Sequence, residues 1–319
     1  MDNIINELRM KIMNKGGFVN AHSHLDRANT SHHFSKEEQY RFLKEKWKLV
    51  DKIKKQSDYW AYKIRIDDAI TDQASKGVNT ICSFIDVDDV VSSKAIIAAR
   101  EVSEERKDVR LLIACQTLKG VLDPTQELLV RNSLYHVNII GSLPGADKGR
   151  ESEHLDKVME WAKKYKKRLH VDVDQLNTPK EKETELLARK TMEHGLEGRV
   201  TAVHSISLAA HPKSYREEVY KMSKDAGLSF ISCPSAWIDH PRREDLVPSH
   251  NATTPVDELL EHDLTVAIGS DNIHDIYKPY SDGDMMFELR MLLEACKIYD
   301  EEQLIKIATY NGKKVLGLL

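Results

Sequence analysis

The chain sets two histidines two residues apart at the end of an apolar run, in Gly17-Phe18-Val19-Asn20-Ala21-His22-Ser23-His24-Leu25-Asp26. Side chains at i and i+2 of a strand leave the same face. Two imidazoles leaving a strand end together can hold one divalent metal, each through a neutral ring nitrogen. Taken alone, a His-x-His pair is more often polar decoration of a surface loop, so the rest of the chain must decide.

Other residues able to do chemistry recur at the ends of apolar runs: Asp86, Gln116, Asp172 followed by Asp174 and Gln175, His204, and Asp271. Each has an ordinary alternative. Asp86 can cap a helix starting near Val90, Gln116 can be a polar group beneath a turn, His204 a hydrogen-bonded rim residue and Asp271 a helix cap. His170, two residues deeper than Asp172, reads as a buried, hydrogen-bonded side chain. Such a series has one economical explanation: the runs are strands whose C-terminal ends converge on a common mouth, where barrel enzymes keep their active groups.

The elements needed to do this are legible. Strands are predicted at Gly17 to His22, Val78 to Ile85, Arg110 to Gln116, Val137 to Leu143, Arg168 to Val173, Arg199 to His204, Leu228 to Cys233 and Leu264 to Ser270. Nearly continuous apolar runs suit parallel strands covered on both faces. Helical patterns lie between them; Glu38 to Lys54, with Tyr40, Leu43, Trp47 and Val50 on one stripe, predicts a crossover helix. Met1 to Lys15 places Ile5, Leu8 and Ile12 at helical spacing, as in a short helix closing the end of a domain. About eight strand-helix units without a linker or repeat predict an α/β fold, a (β/α)8 TIM barrel spanning residues 1–319 as one domain.

Composition narrows the partners. The chain has 319 residues, 41% hydrophobic, with a net charge of −4, and this balance gives no reason to expect nucleic acid. The basic run Lys163-Lys164-Tyr165-Lys166-Lys167-Arg168 fits a solvated helix end. No apolar run approaches the ~18 residues of a membrane span, and the first residues lack the uninterrupted apolar stretch of a signal peptide. Cys82, Cys115, Cys233 and Cys296 are widely spaced and form no CxxC, which predicts a reduced, cytoplasmic protein. The expected partner is a small molecule, with no membrane; a homo-oligomer is compatible with the sequence.

From about Gly17 to the C-terminus the chain resembles the amidohydrolase superfamily, within it the cytosine deaminase branch. The segments that carry the resemblance are Asn20 to Asp26, Val200-Thr201-Ala202-Val203-His204, Gly269-Ser270-Asp271-Asn272-Ile273-His274-Asp275 through Asp282-Gly283-Asp284-Met285, and Thr309 to Gly317. The resemblance implies a single divalent metal, zinc or iron, with His22, His24 and Asp271 at ligand positions and His204 orienting the attacking water or the substrate. It also implies that Gln116 reads the amide edge of a heterocycle and that Tyr277 lies near an aromatic wall. The fourth strand, Val137 to Leu143, contains no lysine of the kind that bridges two metals in dinuclear members.

Three departures qualify the resemblance. Cytosine deaminases carry a fifth-strand His-x-Asp-Glu, where this chain reads Asp172-Val173-Asp174-Gln175. Asp172 can still ligate zinc or iron, but the Gln175 amide can orient a substrate and cannot carry a proton. Asn272 stands where those enzymes are acidic, and the chain leaves no room for the β-sandwich of many members. The implied function is hydrolysis of a C–N bond in a small nitrogen heterocycle, by deamination or ring opening. Asp271 would accept the water's proton and His204 would steer the attack. Leaving ammonia would be protonated by Asp271, Asp174 or a substrate nitrogen, and Asp174, Asn272, Tyr277 and Trp237 are the expected substrate contacts. The alternatives are a catalytically impaired barrel serving as a ligand-binding or regulatory protein and a sugar-phosphate barrel enzyme, the latter disfavoured by the lack of a Gly-rich phosphate loop. Pro234 to Pro255, with Trp237, His240, Arg242 and Arg243, is expected over the mouth.

Overall fold

Eight parallel strands follow one another around a single sheet in the order of the sequence. They are β1 (Phe18–Ser23), β2 (Val78–Asp86), β3 (Arg110–Gln116), β4 (Ile139–Ser142), β5 (Arg168–Val173), β6 (Val200–His204), β7 (Ser229–Ser232) and β8 (Thr265–Ile268). The structure, a computed structural model, describes residues 3–236 and 253–319. All eight predicted strands are present within a few residues of their expected ends. The N-terminal helix is also found, at Asn3–Asn14, with Leu8 and Ile12 buried. No helix among the described residues is long and apolar enough to cross a membrane.

Two apolar layers hold the strands. One, running outward beneath the helices, contains Phe18, Val78, Ile113, Val171, Ala202, Val266 and Ile268. The other fills the barrel with the alternate residues, among them Val19, Ala21, Phe84, Ala114, Val203, Ile231 and Ala267, and is closed below by Val315 and Leu316. This period-two division is what the sheet geometry demands of strands buried on both faces. His170 lies at the floor, buried, with Nε2 at 3.1 Å from the Val315 carbonyl oxygen, as the sequence predicted.

The ends of the sheet meet through polar contacts. Ser23 bridges to Asp271, and the Asp271 N–H donates to the His22 carbonyl at 3.0 Å. Deeper in the seam, Asn20 donates from Nδ2 to Gln73 Oε1 at 2.7 Å and to Ser270 Oγ at 2.8 Å, and accepts from the Ser270 N–H at 3.0 Å. Gly269 permits the approach, since a Cβ there would lie 2.6 Å from the His22 carbonyl oxygen.

One predicted element differs. Glu38 to Lys54 is not a crossover helix but three short ones, Lys36–Gln39, Leu43–Leu49 and Asp51–Gln56, and the crossover role falls to Tyr59–Ser75, capped by Asp58. The apolar stripe was real but faces another surface. Leu43, Val50 and Ile53 pack with Phe34, Leu118, Leu143, Ile276 and Tyr277 in a cluster of their own, while Tyr40 is exposed. Periodicity shows that a helix face is buried; it cannot show against what.

Because the Asn20 amide serves three partners in a dry seam, Asn20→Ala should strand the Ser270 N–H and the Gln73 carbonyl. A loss of about 2–4 kcal/mol is expected in urea unfolding; a loss below about 0.5 kcal/mol would show that the seam is not held by this side chain.

Candidate metal centre and ligand cavity

The strand ends bring most of the sequence-derived set into one buried cluster. His22, His24 and Asp271 form a group whose ligand atoms lie within 4.8 Å of one another, and His22, Asp172 and His204 form a second group sharing His22. His22 Nε2 is 3.4 Å and His24 Nε2 3.1 Å from the same Asp271 oxygen, Oδ1. The His22 ring centroid lies 4.9 Å from that of His24 and 5.3 Å from that of His204.

Simple alternation would not have produced this arrangement. Val19 and Ala21 face the barrel interior, so His22 would face out, but pairing with β2 shifts register between Asn20 and Ser23 and turns His22 inward, against Phe84. This is the work of a bulge: one extra residue re-aims the strand end. On β6, Val203 faces inward, and His204 follows it into the mouth because its backbone adopts φ +72°. Asp271 has φ +58°. Aspartate and histidine are among the residues that tolerate the left-handed region, and such backbone clusters at functional sites.

The donor set fits a divalent cation. Both His22 ring nitrogens, His24 Nδ1, His204 Nδ1 and Asp172 Oδ1 are buried without hydrogen-bond partners, a density of unsatisfied polar atoms that a packed interior does not tolerate without a further ligand. Burial and the Arg27 charge hold His24 well below the usual imidazole range, and burial likewise lowers His204, so both rings are neutral at neutral pH. Burial alone would raise the Asp271 carboxyl, but the close imidazoles of His22 and His24 outweigh it and keep the group ionised. Neutral nitrogens and ionised carboxylates are the ligand states that zinc or iron requires.

Beside this cluster lies a cavity of about 310 Å³, open to solvent and lined by His24, Asp172, Gln175, His204, Asp271 and Asn272, with Arg27, Gln116, Leu43, Trp47 and Tyr277 on its other walls. Gln175, Asn272 and Tyr277 thus line one cavity together with the donor cluster, and the unforeseen short helix Leu43–Leu49 supplies part of the wall.

Gln116 reaches the cavity with part of its amide already engaged. Its Nε2 donates to Asp172 Oδ2 at 2.9 Å, and its Oε1 accepts from the Thr117 N–H at 2.8 Å, so the amide holds Asp172 and keeps one N–H and one oxygen lone pair for a ligand. Asp174 is turned away altogether. Its backbone takes φ +53° directly after β5, and its carboxylate caps the helix Glu183–Glu193, accepting from Glu183 N at 2.7 Å and Thr184 N at 3.0 Å. Asp86 does not cap the following helical turns; Asp88 does, accepting from Val90 and Val91. Trp237, His240, Arg242 and Arg243 lie outside the described residues.

The sequence reading passed over the ionic frame behind the site. Asp86 receives Arg27 Nη1 at 3.1 Å and Lys54 Nζ at 3.0 Å, Lys54 also reaches Asp88 at 2.6 Å, and Arg27 Nε donates to Asn272 at 3.2 Å and lies 3.6 Å from Asp275. All are buried. Burial and the neighbouring Asp86 push Asp26 up to about 7, and burial pushes Asp275 up to about 6. Arg27 stands next to Asp26 in the motif segment and was open to notice; Lys54, distant in sequence, carried no local signal. Behind the β8 loop, buried Lys278 donates to the Ser270 carbonyl at 2.7 Å and to Ser235 Oγ at 2.5 Å, and Glu288 holds the Ser235 N–H at 3.0 Å. A Ser142–His154–Asp147 chain has the connectivity of a hydrolytic triad, with contacts of 2.8 and 2.6 Å, but Ser142 and His154 are wholly buried and the chain braces the loop after β4.

Residues 33–318 match the family described as "Amidohydrolase family". The chain is 43% identical over 264 residues to an uncharacterized protein of Haemophilus influenzae, covering 79% of this chain and 94% of that one. It is 28% identical over 315 residues to the N-isopropylammelide isopropyl amidohydrolase of Pseudomonas sp., covering 95% of this chain and 74% of that one. Among solved structures, 5-methylcytosine deaminase from Klebsiella pneumoniae, liganded with phosphonocytosine, superposes with a TM-score of 0.88 at 24% identity, covering 95% of this chain and 75% of that one.

The partly buried Glu183 is pushed up to about 8 by burial and by the neighbouring Asp174 and Glu181. Its folded pKa thus exceeds the unfolded value, so below about pH 4.5 the group is neutral in both states, and stability falls as pH rises toward 8. Glu183→Gln should change unfolding free energy little at pH 5 and stabilise by ~1 kcal/mol or more at pH 8.5. An equal effect at both pH values would contradict the assignment.

Proposed function

The chain belongs to the amidohydrolase family, and from that premise we propose that it hydrolyses a C–N bond of a small nitrogen heterocycle, by deaminating a cyclic amidine or opening a cyclic amide. The observation that carries the reading is the convergence of His22, His24, Asp172, His204 and Asp271, with their unsatisfied ring nitrogens and carboxylate oxygen, on one wall of a small cavity. The name of the Pseudomonas relative, an amidohydrolase of an ammelide, supports the substrate class.

His22, His24, Asp172 and Asp271 would hold one zinc or iron ion. When bound, the ion supplies Lewis acidity that lets water react at neutral pH. Asp271, ionised and facing both His22 and His24, accepts the water's proton. His204, neutral and buried, steers the attack and stabilises charge developing on the ring. Gln175 and Asn272 orient the heterocycle through their amides. With Asp174 committed to its helix and Gln175 unable to carry a proton, the proton for the leaving nitrogen comes from Asp271 or from a substrate nitrogen. The free, buried cysteines suit work in the reducing cytoplasm.

The engagement of Asp174 and the amide at Gln175 also favour a second reading, a barrel that binds such heterocycles without turning them over. Ammonia or amine release from aminopyrimidines, aminotriazines and pterins, run on zinc- and iron-loaded protein with ultraviolet detection of ring opening, separates the two. At least one cyclic amidine or amide should turn over, Asp271→Asn should lower the rate by about 10²–10⁴-fold, and Gln175→Glu should raise it by about 10²-fold if proton delivery limits. Loaded protein that binds these compounds and turns over none would establish the second reading.

A further inference from the structure

Arg27 is a buried guanidinium held at two of its three nitrogens. Nη1 is fixed by Asp86, Nε by Asn272 with Asp275 alongside, and the Tyr277 ring lies with its centroid 5.1 Å from Cζ. Its remaining nitrogen, Nη2, has no acceptor among the described residues, although the residue is 6% exposed and lines the ligand cavity together with His24 and Asp271. Nη2 is thus a charged donor at the cavity wall that only solvent satisfies until a ligand accepts from it. The buried Tyr277 hydroxyl on the same wall is also unpartnered.

On the reading of the cavity as a heterocycle site, we propose that Arg27 is the specificity-determining residue, and that its Nη2 donates to a neutral ring carbonyl of the ligand. Gln116, with one N–H given to Asp172, can add no more than one further neutral donor beside it. Charge selects a carbonyl over a carboxylate. Arg27 and Lys54 are already matched by Asp86 and Asp275, with Asp88 on Lys54, so an anionic ligand group would add charge where the cations are spent. The fixed planar fork gives direction, which a lysine at the same place would not.

Zinc-loaded protein titrated by ligand-observed NMR tests this, with pyrimidine, pyrimidin-2-one, pyrimidin-4-one and pyrimidine-2-carboxylate as probes. One of the two oxo compounds should bind about tenfold or more tighter than pyrimidine, and the carboxylate no tighter than pyrimidine. Arg27→Lys keeps a cation for Asp86 and should retain its zinc, yet bring the oxo compounds within about twofold of pyrimidine. Arg27→Gln serves as a second variant should the lysine distort the frame. Oxo preference that survives in either zinc-retaining variant overturns the proposal, as does Arg27-dependent binding that favours the carboxylate. Wild type that binds none of the four and releases amine from no heterocycle overturns the hydrolase reading and this proposal together, whereas turnover with Arg27-independent binding overturns this proposal alone.

Discussion

The structure depends most on the position of Asp271. Its backbone N–H closes the barrel by bonding to the His22 carbonyl, and its carboxylate lies 3.1–3.4 Å from both His24 and His22. One residue therefore joins the last strand to the first and gathers the donor cluster in the same few ångströms. The cost is a left-handed backbone and a carboxylate removed from water, which the two imidazoles and any bound cation must offset. Asn20 and Gly269 beneath it allow β1 and β8 to approach closely enough for that contact.

The second level of organisation is ionic. The cavity's imidazole-lined wall is made by strand ends, but another wall leans on Arg27, Lys54, Asp86 and Asp275, contributed by four separate segments. Buried ion networks add little net stability, though losing one member is costly because its partners are left charged and dry. Such a frame fixes geometry: Asn272 and Arg27 cannot move independently, and Gln116 similarly fixes Asp172. The site is thus braced by hydrogen bonds before a ligand enters, as a centre that must present donors in set directions requires.

The sequence showed the barrel well, because continuous apolar runs and chemistry at their ends are direct consequences of parallel strands and a common mouth. It showed the cluster of imidazoles and carboxylates for the same reason. It could not show the conformation of single residues. His22 and His204 face inward through a register shift and a left-handed backbone, and the same backbone state turns Asp174 outward, so alternation alone would have misplaced all three. It could not show partners: that the Gln116 amide also holds Asp172 and the Thr117 N–H is seen only in the fold. The stripe from Leu43 to Val50 announced a buried face yet not that the face covers the mouth.

A mononuclear metal centre built from these imidazoles and carboxylates has a distinctive spectroscopic signature. X-ray absorption at the metal edge, with elemental analysis of the same protein as purified, tests for it most directly. The expected result is about one zinc or iron per chain in a shell of nitrogen and oxygen only, with outer-shell imidazole scattering that falls on His22→Ala and His24→Ala together. Sulfur in the first shell, two metals at short separation, or protein that is metal-free and takes up neither zinc nor iron would contradict it.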